Sequence, residues 1–104
     1  MITDGAIQSF CDELAGIYHP DRIVLFGSYA GGQAREDSDV DLLVVMTHAG
    51  RAARLAGEMV SRLKPAFSVD LLVRDPRVIE ERVKLEDPFI LDILAHGKVL
   101  HEAS

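Results

Sequence analysis

Leu25-Phe26-Gly27-Ser28-Tyr29-Ala30 closes one apolar run, and Asp37-Ser38-Asp39-Val40-Asp41-Leu42 opens another. Arg22-Ile23-Val24-Leu25-Phe26 is short, β-branched and aromatic, which predicts a buried strand. Val40 to Met46 predicts a second strand, and Gly27 to Ser38, rich in Gly, Ala and polar residues, a loop or short helix between them. Buried strands seldom begin with carboxylates, because an unpaired buried charge is costly. Asp39 and Asp41 stand two apart, so in a strand both leave the same face, roughly 6.5–7 Å apart at the backbone. Glu36 and Asp37 crowd the same six residues. Like charges so close repel, and a shared cation relieves them.

The second strand has an echo. Val40-Asp41-Leu42-Leu43-Val44 recurs as Val69-Asp70-Leu71-Leu72-Val73, inside a third strand expected over Phe67 to Val73. Gly27 ends its strand, whereas Asp39, Asp41 and Asp70 begin theirs. One site for all of them requires the first two strands to be antiparallel and the second and third parallel. Arg51 to Lys64, with Ala52, Leu55, Ala56, Met59, Val60 and Leu63 at helical spacing, supplies the crossover a parallel pair needs.

Further out, Thr3 to Tyr18 reads as an amphipathic helix carrying Ile7, Phe10, Cys11, Leu14, Ile17 and Tyr18 on one face. Asp75-Pro76 and Asp87-Pro88 are two helix starts, an acidic N-cap followed by proline, for helices to about Lys84 and over Phe89–His96. The apolar stripe Phe89, Ile90, Ile93 and Leu94 is expected in the core. Gly97 is expected to close the last helix as a C-terminal glycine before a short strand at Val99-Leu100-His101. The order is α-β-loop-β-α-β-α-α, with a last short strand.

With 104 residues, a single domain spanning 1–104 is expected. Eleven Lys+Arg against 17 Asp+Glu give a net charge of −6, which argues against stable nucleic-acid binding and against an anionic membrane surface. One cysteine excludes an internal disulfide and a Cys-rich zinc site. The beginning MITDGAIQSF lacks the basic and apolar regions of a signal peptide, and no run approaches the ~20 apolar residues of a membrane span, so a cytoplasmic protein is expected. The four histidines show no ligand spacing, and Glu80, Glu81 and Arg82 read as an exposed helix face.

Converging carboxylates beside a Gly-Ser turn suit phosphoryl or nucleotidyl transfer. Two metals roughly 3.5–4 Å apart clamp the attacking and leaving oxygens of such a displacement. Hard Mg²⁺ takes one or two carboxylates together with substrate phosphates. Backbone N–H groups and the Ser28 hydroxyl could meet those phosphates.

The chain also carries a resemblance. Gly27-Ser28, ten residues, then Asp39-Val40-Asp41 is similar to the G-S-x10-D-x-D signature of the DNA polymerase β-like nucleotidyltransferase superfamily. The flanking residues look most like its minimal nucleotidyltransferase (MNT) family, to which MntA-type antitoxins belong. The resemblance implies an α/β (α+β) fold, a small mixed β-sheet with helices packed on it. It implies an enzyme using ATP and two Mg²⁺, with Asp39, Asp41 and Asp70 as metal-binding and catalytic residues. Gly27 and Ser28 match the nucleotide-binding pair. The implied partner is a HEPN-type ribonuclease toxin, silenced by transfer of AMP to one of its tyrosines. The chain departs from the family pattern at Gly31, where many relatives carry Arg, and at Tyr29, where Arg is also frequent. Two other functions compete: a non-catalytic antitoxin that neutralises its partner by binding, and adenylylation of a small molecule such as an aminoglycoside.

Overall fold

A computed structural model describes all 104 residues. Helix α1 spans Asp4–Tyr18, strand β1 Arg22–Phe26, a 3₁₀ turn Gly27–Tyr29 and strand β2 Val40–Val45. Helix α2 follows at Ala52–Leu63, strand β3 at Val69–Arg74, helices α3 and α4 at Pro76–Lys84 and Pro88–His96, and strand β4 at Lys98–Glu102. The four strands form one mixed sheet in the order β3-β2-β1-β4. β1 is antiparallel to β2 and β4, and β2 is parallel to β3, as the placement of the acids required.

The two identical pentapeptides pair with each other residue for residue, Val40 with Val69 through Val44 with Val73. A slip of one would turn Asp70 into the core and Leu71 and Val73 out of it, so alternation excludes that slip. The backbone N–H of Val40 donates to Ser68 O at 3.0 Å and that of Met46 to Arg74 O at 3.0 Å, holding the pair at both ends.

Alternation divides the sheet's side chains between two cores. On one face Ile23, Leu25, Val40, Leu42, Val44, Leu71 and Val73 meet α1 and α2 through Ile7, Phe10, Cys11, Leu14, Met59 and Leu63. On the other, Val24, Leu43 and Val45 meet Ile79 of α3 and Ile90 and Ile93 of α4. Both expected N-caps form: Asp75 Oδ1 accepts from Arg77 N at 2.9 Å and Asp87 Oδ1 from Phe89 N at 3.0 Å. No helix is long and apolar enough to cross a membrane.

Three expectations change. Ile17 and Phe89 are exposed, at 36% and 53%, rather than in the core. Phe67 lies before β3, not within it, and packs edge-on against Phe10 at 5.8 Å. Gly97 stops α4, but with an ordinary extended backbone (φ −72°) instead of the left-handed one. Its reason is space: a Cβ there would stand 2.6 Å from Val24 Cγ1 and 3.0 Å from Leu25 O, so only glycine lets α4 close onto β1.

Candidate active site

Phe26, the last residue of β1, lies opposite Asp41 on β2, and Asp41 lies opposite Asp70 on β3. Gly27-Ser28, Asp41 and Asp70 therefore meet at one end of the sheet, with Asp39 one residue before β2. Asp41 and Asp70 alternate with Val40, Leu42 and Leu71, which fill the α1/α2 core. The carboxylates consequently belong to the opposite face, that of α3 and α4. Asp39 and Asp70 are exposed and Asp41 is partly buried.

Gly27 is fixed by two constraints. Its φ is +74°, a left-handed conformation that side chains resist, and a Cβ built there would run into the Asp41 carboxylate, 3.2 Å from Cγ and closer still to Oδ2. The 3₁₀ turn that follows is tied by Ala30 N and Gly31 N, both donating to Gly27 O at 3.2 and 3.1 Å. Gln33 N donates to Ser28 O at 3.0 Å. On the other side of the loop, Ser38 Oγ accepts from Arg35 N at 2.8 Å, a turn that delivers the chain to Asp39.

The electrostatics are those of an unneutralised acidic site. The four ion pairs of the chain use Glu36, Asp87, Glu80 and Asp92, so none reaches Asp39, Asp41 or Asp70. Burial lifts the Asp41 carboxyl above its ordinary range, and the charges of Asp70 and then Asp39 push the same way. Glu36 faces the N-terminal ammonium at 3.7 Å instead of joining the acids. No three His, Cys, Asp or Glu side chains are gathered into a ready metal cage. The donors nonetheless suit a hard divalent cation: all are carboxylate oxygens, mutually repelling and without a protein counter-charge. Such an ion keeps waters and takes substrate phosphates beside one or two carboxylates, so a closed cage is not required.

The residues at the departures from the family pattern have their own places. The Tyr29 hydroxyl accepts from Ile2 N at 3.2 Å and packs toward the α1 core, tying down the start of the chain. Arg35 is exposed. What sequence reasoning missed lies on α4: Asp92 and His96 form a hydrogen-bonded pair at 3.0 Å on the helix that flanks the Gly27 turn. Their spacing of four on a helix was the available signal.

The profile of the nucleotidyltransferase domain matches residues 6–101. No curated protein sequence matches the chain. Among solved structures, a nucleotidyltransferase-type protein of Sulfolobus solfataricus superposes with a TM-score of 0.61 at 23% identity, covering 91% of this chain and 76% of its own. A toxin–antitoxin complex with AMP-PNP gives 0.54 at 23%, covering 93% and 74%. A complex of tri-AMPylated Shewanella oneidensis HEPN toxin with MNT antitoxin gives 0.54 at 21%, covering 97% and 74%. At these identities the superpositions establish a shared fold.

Proposed function

Because the chain belongs to the nucleotidyltransferase domain family, we propose that it is an antitoxin enzyme that transfers AMP from ATP to a tyrosine of a HEPN-type toxin. The observation that carries this is the in-register pairing of Asp41 with Asp70, with the Asp41 carboxylate packed on Gly27 of the Gly-Ser turn. Two similar folds occur in toxin–antitoxin complexes, one with AMP-PNP and one with an AMPylated HEPN toxin, which supports the choice of donor and acceptor.

The residues divide the work by position. Gly27 and Ser28 orient the triphosphate. Asp39, Asp41 and Asp70 would hold Mg²⁺, up to two ions, which when bound offset phosphate charge and favour ionisation of the acceptor hydroxyl. The phenolic oxygen attacks the α-phosphorus, the bond from that phosphorus to the oxygen bridging it to the β-phosphate breaks, and pyrophosphate leaves. In this reading Asp70, exposed at the start of an edge strand, takes the phenolic proton.

Incubating the protein with ATP, Mg²⁺ and its partner toxin, then weighing the toxin by mass spectrometry, tests the reading. Addition of one or more AMP groups is expected with the natural sequence and not with the Asp39→Asn/Asp41→Asn double variant. An unmodified toxin that is still inhibited by both proteins would instead establish stoichiometric binding.

A further inference from the structure

The Gly27 turn is held from both faces of the sheet. On one side Gly27 lies against the Asp41 carboxylate. On the other, Tyr29 and Ala30 pack against the α1/α2 core, and the Tyr29 hydroxyl accepts from Ile2 N at 3.2 Å. We propose that Tyr29 is a positioning residue: clamped by Ile2, it presets the Gly27-Ser28 turn in the conformation that receives the triphosphate. This rests on the nucleotidyl-transfer reading and adds to it a residue that touches neither nucleotide nor metal.

The turn needs such a fixture. Gly27 sits at φ +74°, and the bonds from Ala30 N and Gly31 N to Gly27 O, and from Gln33 N to Ser28 O, are internal to residues 27–33. They shape the turn without placing it on the sheet. Gly31, Gly32 and Gln33 are exposed, so nothing packs over the turn from beyond. Among the side-chain hydrogen bonds of the chain, only the one between Ile2 N and Tyr29 ties residues 27–34 to another segment. It reaches across 27 positions of sequence. Ile2 itself packs on the same core as the Tyr29 ring, so both ends of the bond are anchored.

Chemistry assigns Tyr29 to placement and not to contact. Its hydroxyl is engaged by Ile2, its ring packs on the core, and a neutral phenol brings no positive charge to a phosphate. A glycine-led turn is free to take many conformations, and a ligand that must order it loses affinity in doing so. Ordering the turn beforehand removes that cost. The gain is shared by the bound substrate and the transition state, so it lowers KM and leaves the rate at saturation alone.

Calorimetry with ATP and Mg²⁺, steady-state kinetics on the toxin and amide exchange on the protein alone test the clamp in Tyr29→Phe, Ile2→Pro and the double variant. Tyr29→Phe keeps the ring and removes the acceptor, and Ile2→Pro removes the donor from the other side. Each should weaken ATP by about threefold to tenfold, the worth of one hydrogen bond, and raise KM for ATP to match, with the rate at saturating ATP within about twofold. The double variant should be no weaker than the weaker single, because both remove the same bond. The Gly31 and Gln33 amides of Tyr29→Phe should exchange at least about threefold faster, with those of β2 unchanged. Unchanged ATP affinity in Tyr29→Phe, additive losses in the double variant, or a lower saturating rate at constant KM overturns the assignment. Unchanged exchange at Gly31 and Gln33 in a protein that binds ATP overturns the clamp alone. Failure of the natural protein to bind ATP would instead remove the nucleotidyl-transfer reading, and the proposal with it.

Discussion

The two faces of the sheet are built to different ends. The α1/α2 face buries thirteen residues in one cluster, including Leu14, Ile23, Leu42 and Met59 with no exposed surface. It is dry enough to push the Cys11 thiol up to about 12, chiefly by desolvation and then by the charge of Asp12, so the thiol stays protonated at neutral pH. The α3/α4 face buries six, leaves Phe89 and Leu85 at 53% and 66% exposure, and carries three carboxylates with no counter-charge. Strand alternation makes this division possible: in β2, Val40, Leu42 and Val44 fill the thick core, while on the other face Asp41 joins the acids and Leu43 and Val45 fill the thin one. A small chain can thus hold a self-repelling acidic cluster, because the repulsion falls on the face with the smaller core and most of the packing on the other.

The comparison breaks first on core truncations. Leu42→Ala, on the thick face, should destabilise the protein by about 2–5 kcal/mol, near the upper end because a rigid core collapses little. Ile90→Ala, on the thin face, should fall near the lower end. Denaturant melts giving the reverse order would show that the thin face carries the fold.

Next in size is activity. Asp41→Asn should lower AMP transfer at least about 100-fold, the upper end of losses at metal-supporting positions, without loss of folded protein. Transfer rates on toxin at saturating ATP measure it. Leu42→Ala, by contrast, should leave the rate per folded molecule unchanged.

Gly27→Ala joins the two effects. It forces a side chain into φ +74° and against the Asp41 carboxylate, for about 1–3 kcal/mol of stability, and it displaces a carboxylate proposed to hold the metal. Thermal melts and transfer rates should fall together, unlike in either variant above.

The smallest effect has the opposite sign. The Asp41 carboxyl is raised in the folded protein, so its contribution to stability is complete below its ordinary 3.8 and is lost as pH rises through the raised value. At neutral pH without Mg²⁺, Asp41→Asn should therefore stabilise the protein. The gain should stay within about 0.5 kcal/mol, because water reaches the carboxyl and screens the repulsion. It should vanish below that window, and melts at neutral and acid pH compare the two. A destabilised Asp41→Asn at neutral pH would mean that the carboxylate makes a favourable contact in the fold.

Much of this was legible in the residues. The repeated Val-Asp-Leu-Leu-Val marked an aspartate at the entrance of two apolar strands. The length of α2 allowed the crossover that a parallel pair needs. The topology followed in turn from requiring Gly27-Ser28 and the three acids to share one site. What could not be read is what depends on neighbours distant in the chain. Phe89 looks like a core residue on its helix, but it starts α4 beyond the edge of the buried cluster, so its ring meets Phe26 at the surface. Gly97 looks like a left-handed cap, whereas the tight approach of β1 decides it. The position of β4 beside β1, with a bulge between Ile23 and Val24, leaves no periodic mark in five residues.

The sheet's open border at β3 gives the repeated pentapeptide a second consequence. An edge whose sequence also occurs in its inner neighbour is a template on which another molecule's copy could stack, the usual start of fibrous self-association. In-register stacking would set one more aspartate beside Asp70 at every added strand, about 4.8 Å from the last. The charge proposed above for transfer chemistry would thereby also act as a colloidal guard, set against an edge strand finding its own likeness in solution.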